Sequence, residues 1–259
     1  MTQATVPTFA RYPSLADRLV LVTGGGSGIG AALVEAFAAN HARVAFVDIL
    51  DEPSEALVAK LASARHRPRF LHCDLTDIAA LKAAVATFRA ELGPIAVLIN
   101  NAANDDRHAI DEVTPEYWDK TLNVNLRHQF FAAQAVRPHM RELGGGAIVN
   151  FSSIAWMFGG ADFVAYSTAK AGVIGLTNSL ARALGPDNIR VNAIAPGAVV
   201  TERQLRLWYT EEQADGMVAR QIIRRRLLPE EIARAALFLA ADDSGMITKQ
   251  CLVVDAGLR

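Results

Sequence analysis

Disulfide chemistry is all but excluded at the outset. The chain has two cysteines, Cys73 and Cys251, far apart and in no redox or metal-ligand spacing. Its six histidines are scattered without a His-Glu-x-x-His pairing, so no metal site is expected. A formal net charge of -1 leaves no basic footprint for nucleic acid or an anionic membrane. No uninterrupted apolar run approaches the roughly 18 residues of a membrane span. The first eighteen residues show no basic start followed by an apolar stretch, so no secretory signal is expected. These absences point to a cytoplasmic protein that meets small molecules. Pro- or Gly-rich linkers are missing too, so residues 18–259 are expected to form one domain behind a loose leader at 1–17. Lysine is scarce, limited to Lys60, Lys82, Lys120, Lys170 and Lys249, and a lysine inside an apolar helix therefore stands out.

What is present is alternation. Short, continuously apolar runs at 19–23, 43–47, 69–72, 95–99, 147–151, 189–195 and 252–254 read as strands covered on both faces. Between them, Ala-rich segments of helical period lie near 28–40, 51–64, 77–92, 115–143, 164–184 and 229–241. Repeated β-α units of this kind give a single-domain α/β fold, a doubly wound seven-stranded parallel sheet with helices on both faces. Residues 196–228 are the one long interruption and are expected to be a substrate lid.

The first β-α junction reads Thr23-Gly24-Gly25-Gly26-Ser27-Gly28-Ile29-Gly30. Glycines let the backbone turn tightly against a pyrophosphate, which then meets the positive end of the following helix. The second strand ends at Asp48, eighteen residues after Gly30. A carboxylate there accepts hydrogen bonds from an adenosine ribose and repels a 2′-phosphate, so NAD is expected over NADP. The bland reading of Asp48 is a cap for the next helix.

A second junction carries the chemistry. The fifth strand runs into Ser152-Ser153, and thirteen residues later comes Tyr166-Ser167-Thr168-Ala169-Lys170. Tyr166 and Lys170 are four apart and share a helix face. An ammonium and an oxidised nicotinamide both favour the phenolate, making Tyr166 a base for a hydroxyl proton while hydride leaves the same carbon. Ser153 is placed to hold the substrate oxygen.

These residues resemble the short-chain dehydrogenases/reductases, and the resemblance covers nearly the whole chain. It rests on Thr23-Gly24-x-x-x-Gly28-x-Gly30, Asp74-Leu75, Asn100-Asn101-Ala102, Asn123-Val124-Asn125, Ser153, Tyr166, Lys170, Pro196-Gly197 with Thr201, and Val254-Asp255-Ala256-Gly257. It implies a Rossmann-like fold and a tetrad of Asn125, Ser153, Tyr166 and Lys170, with Asn125 holding a water in a proton relay. It implies NAD contacts from Gly24, Ser27, Gly28, Ile29, Gly30, Asp48, Asp74, Leu75, Asn101, Ala102, Tyr166, Lys170, Pro196, Gly197, Val199 and Thr201. It also implies a homotetramer packed through the catalytic helix and the long helix before it. Two departures stand out: Ala103 and Lys249 occupy positions where the family typically has glycine.

The segments 103–108, 154–163 and 199–226 are expected to line the substrate side. They offer Asn104, Asp106, Arg107, Ser153, Trp156, Arg203 and Trp208, with Asp105, His108, Asp162, Gln204 and Tyr209 nearby. Donors and acceptors beside an indole face suit carbohydrate hydroxyls. Asn104-Asp105-Asp106-Arg107-His108, Asn125-Leu126-Arg127-His128 and Trp208-Tyr209-Thr210 resemble a narrower group, the family's bacterial sugar dehydrogenases, which oxidise aldoses such as xylose, arabinose, galactose or fucose to lactones. An alternative is a secondary alcohol of a deoxy-keto sugar acid, whose carboxylate Arg107 or Arg203 would pair with. A non-catalytic nucleotide sensor on the same fold is the competing class, disfavoured because Tyr166 and Lys170 are both present. Arg224-Arg225-Arg226 reads as surface charge, and Phe37, Phe88 and Phe238 as core.

Overall fold

The computed structural model describes residues 9–207 and 210–259. Strands β1 (Leu19–Thr23), β2 (Arg43–Asp48), β3 (Arg69–His72), β4 (Ile95–Asn100), β5 (Gly146–Phe151), β6 (Ile189–Pro196) and β7 (Cys251–Val254) fall where the apolar runs placed them. They form one seven-stranded sheet in the order β3-β2-β1-β4-β5-β6-β7, every pairing parallel. All residues of β1 and β4 are buried, as required of central strands covered on both faces.

Helices α1 (Gly28–Ala39) and α10 (Pro229–Ala240) cover one face, where Phe37 and Phe46 anchor the core. Helices α3 (Ile78–Leu92), α5 (His128–Glu142) and α7 (Val164–Leu184) cover the other, around Phe88 and Leu98. Phe238 packs partly buried against the first core. Local signals set the helix ends. Asp77 caps α3 by accepting from the amides of Ala79 and Ala80, and Gly93 ends it at φ 95°. Thr114 and Pro115 open α4 (Pro115–Leu122). The short helix α2 (Asp51–Lys60) follows β2.

Three expectations need correction. The helix expected over 115–143 is split by a wide π-type turn at Asn123–Arg127. There the side chain of Asn125 meets both the Asn104 backbone and the Thr121 carbonyl one turn back, where the local ladder is opened. The leader is not loose in its described part: Leu15 is fully buried, and the amide of Tyr12 donates to Asn40 Oδ1 at 2.9 Å. The long interruption at 196–228 is not a plain loop: it carries α8 (Glu202–Leu207) and α9 (Glu211–Arg220), the latter capped by Thr210. Among the described residues no helix is long and apolar enough to cross a membrane.

Strand order reverses between β1 and β4, and an open parallel sheet leaves its crevice at such a point, outside the carboxyl ends of the strands. Thr23, Asp48, Asn100, Phe151 and Pro196 all end strands at that edge.

Candidate active site

The nucleotide end is built from backbone. Gly24 turns the chain out of β1 at φ 67°, and a Cβ there would lie 2.7 Å from Ala102 Cα. A Cβ on Gly30 would lie 1.7 Å from the Gly24 carbonyl oxygen, so both positions admit only glycine. Ser27 precedes α1 in extended conformation without capping it, and the first turn holds no acid. The open N–H groups of that turn form an anion cradle. Asp48 secures the turn: its Oδ2 accepts from the amide of Gly26 at 2.8 Å, and Oδ1 from Ile49 and Leu50 at 2.8 and 3.0 Å. A carboxylate has about four acceptor sites, so one stays open toward the cleft. Asn101 Nδ2 donates to the carbonyls of Thr23 and Gly24, and the Thr23 hydroxyl accepts from the amides of Asn101 and Ala102. Asn101 thus ties two loops together as well as lining the cleft.

At the other end, α7 presents Tyr166 and Lys170. Lys170 is fully buried, its Nζ donating to the Phe151 carbonyl at 2.9 Å and lying 5.5 Å from the Tyr166 ring centre. Burial pushes its pKa down to about 7, against a smaller upward pull from Asp105. Ser153, whose hydroxyl accepts from the Ala155 amide at 3.1 Å, lies close enough to Tyr166 to favour its phenolate. Burial and then the charge of Asp105 push its phenol well above the ordinary tyrosine value, while Ser153 and Arg203 pull it down. The expected phenolate is therefore not set by the chain alone, because desolvation outweighs the favourable contacts. His128 lies fully buried at the start of α5. Burial and the charge of Lys170 hold its pKa down to about 3, so it stays neutral.

A cleft of about 2210 Å³ joins the two ends. That exceeds the roughly 300–1,000 Å³ of a single small-molecule pocket and leaves room for a dinucleotide and a substrate together. It is lined by all sixteen residues expected to touch the cofactor, from Gly24 to Thr201, and by Ser153. Asn104, Arg107 and Arg203 line it as well. Asp106 does not; it accepts from Asn104 Nδ2 at 2.7 Å. Trp156 stands partly exposed on α6 (Ala155–Phe158), outside the lining of the cleft. Trp208 and Tyr209 lie outside the described residues. Asn125 is buried beneath the cleft: its amide donates to the Asn104 and Thr121 carbonyls and its Oδ1 accepts from the Asn104 amide. Its side chain positions the substrate-side loop, and its carbonyl accepts from Gln129 Nε2.

The expected pairing of Arg203 with an anionic substrate meets a competing fact. Arg203 donates to Asp105 at 2.6 Å and to Asn104 at 2.8 Å, and approaches Asp106 at 3.5 Å. Gln204 donates to Asp105 at 2.6 Å. Arg107 lies 3.7 Å from Asp162 and 5.9 Å from the Phe163 ring. Arg225 and Arg226 pair with Glu231, Glu211 and Asp215, in keeping with surface charge. Asp105 and Gln204 were visible as polar residues, but nothing local says they meet across the cleft.

The family model described as enoyl-(acyl carrier protein) reductase matches residues 24–259. The chain belongs to the short-chain dehydrogenase/reductase family, oxidoreductases that work with a nicotinamide cofactor. It is 56% identical over 255 residues to a protein of Rhizobium meliloti named "Probable galactose dehydrogenase", covering 98% of this chain and 99% of that one. It is 50% identical over 250 residues to D-xylose 1-dehydrogenase of Caulobacter vibrioides, covering 96% and 99%. Among solved structures, a double mutant of a Serratia marcescens short-chain dehydrogenase/reductase superposes with a TM-score of 0.87 at 32% identity, covering 95% of this chain and 99% of that one.

Proposed function

We propose that this protein is an NAD-dependent aldose 1-dehydrogenase of the cytoplasm. The observation that carries the reading is the convergence of Ser153, Tyr166 and Lys170 in the cleft that also runs past the glycine turn and Asp48. The similarity to galactose and xylose dehydrogenases supports the sugar. The bound dinucleotide supplies the hydride acceptor for the sugar C1.

Ser153 donates to the anomeric oxygen and Tyr166 removes its proton, leaving a carbonyl at C1 and hence the lactone. Lys170, donating to the Phe151 carbonyl and 5.5 Å from the Tyr166 ring, brings its ammonium beside the phenol and would hold the nicotinamide ribose. NAD is favoured because Asp48 lines the cleft beside Ile49, Leu50 and Pro53, and a carboxylate there repels a 2′-phosphate. Neutral sugars are favoured over sugar acids because Arg203 is already held by Asp105 and Asn104.

The test is NADH formation at 340 nm with D-galactose, D-xylose, L-arabinose, L-fucose and deoxy-keto sugar acids, each with NAD and NADP. Turnover of an aldose with NAD is expected. Turnover of the acids alone overturns the substrate, and preference for NADP overturns the role of Asp48. Tyr166→Phe should lower kcat at least a thousandfold, the order of a lost acid–base catalyst with its hydrogen bond. NAD affinity should stay within about threefold, because Phe keeps the ring and fifteen other expected cofactor-contact residues still line the cleft.

A further inference from the structure

Three parts of the molecule meet at Asp105. It follows β4, lines the cleft, and has both carboxylate oxygens taken by α8: Oδ1 by Arg203 and Oδ2 by Gln204, each at 2.6 Å. The floor side of this contact is fixed, since Asn125 holds the backbone of Asn104 through both its amide and its carbonyl. The lid side is a six-residue helix. That helix starts just after Thr201, whose Cγ2 would lie 3.4 Å from a Cβ on Gly28 of the nucleotide turn. The lid therefore touches the cofactor cradle at one point and the substrate floor at another.

We propose that Asp105 is a positioning residue: gripped by Arg203 and Gln204 it latches α8 over the substrate end of the cleft, with Arg203 the cation that offsets its charge there. The inference rests on the reading of Tyr166 as the base. A charge-assisted pair in a partly dried cleft is stronger and more directional than one in water. The electrostatics agree with the geometry. Asp105 raises the proton affinity of Tyr166 and Lys170 alike, and Arg203 opposes it at Tyr166. The other charged or titratable neighbours are Asp106, 3.5 Å from Arg203, the Arg107–Asp162 pair at 3.7 Å, and neutral His128 beneath Lys170. Asp105 and Arg203 thus pull the phenol in opposite directions from within one contact.

The two single variants separate this proposal from a simple structural contact. Asp105→Asn removes the charge that keeps the proton on Tyr166, so the acid limb of kcat/KM against pH should move to lower pH. Arg203→Gln removes the balancing cation, so the same limb should move to higher pH. Both should raise the KM for the best aldose of the panel about tenfold, the loss of one charge-assisted contact.

Hydrogen exchange supplies a reading independent of turnover: amides of 202–207 should exchange at least tenfold faster in Asp105→Asn, Arg203→Gln and Gln204→Ala, with NAD-induced fluorescence change reporting that each variant is folded. Unchanged exchange in folded variants overturns the latch. Acid limbs that stay fixed, or move in the same direction, overturn the link to Tyr166. An active Tyr166→Phe overturns the base assignment instead, and exchange at 202–207 then still decides the latch.

Discussion

Lys249 occupies a backbone conformation that disfavours every residue except glycine. Its φ is 64°, and its amide donates to the Val191 carbonyl at 2.7 Å, closing the turn into β7. A side chain in the left-handed region costs about 1–2 kcal/mol, and a glycine there gives back about 0.5–1 kcal/mol through the unfolded chain. Lys249→Gly should therefore stabilise the fold by about 0.5–1 kcal/mol, read as a rise in thermal midpoint of about 1–4 °C. The departure from the family pattern was legible; its strain was not, because dihedral angles are not written in residue identity. The same contrast holds in the site. Tyr166 and Lys170 could be paired from the chain alone, since four residues make one turn of helix. The contact of Asp105 with Arg203 joins positions 98 apart and needs the lid to be placed first.

Elements with a strong local cause matched their expected positions. Helix α7 spans Val164–Leu184 and β1 spans Leu19–Thr23, the same residues the periodicity marked, because apolar pattern and boundary signals agree there. The wide turn at Asn123–Arg127 was invisible, since its cause is a hydrogen-bonding partner in another loop. That turn delivers His128 into the interior beside Lys170, which has consequences for stability. His128 binds its proton far less readily folded than unfolded, with its pKa down to about 3. A folded-state pKa below the unfolded value means the unfolded chain binds more protons as the pH drops from about 6.5 toward 3, so stability falls over that window. The slope from one such group is at most about 1.4 kcal/mol per pH unit. His128→Gln should flatten urea-derived stability against pH by up to that amount between pH 6 and 4. An unchanged slope would remove His128 as the cause.

At the scale of the whole molecule, the sheet and its two cores leave some large apolar groups uncovered. Phe130 on α5 and Val164 at the start of α7 are 41% and 37% exposed. We expect these helices to meet their counterparts in a homotetramer, giving a sedimentation mass near four times the 27.9 kDa of the chain. Phe130→Asp should lower that mass by weakening one interface, while a mass of a single chain for the unmodified protein would overturn the expectation. The fold was readable at this scale because each strand announces itself by a buried run.

Apart from Ser153 and Tyr166, the polar groups proposed to face the substrate stand on two connections, residues 104–107 and α8, while the sheet behind them is held by buried aliphatic contacts. The two sets share almost no residues. A descendant of this chain can therefore trade one sugar for another by drift in two surface segments, without reopening the question of whether it folds. Ancestry and appetite are inherited separately here, which is how a family can keep one scaffold through many diets.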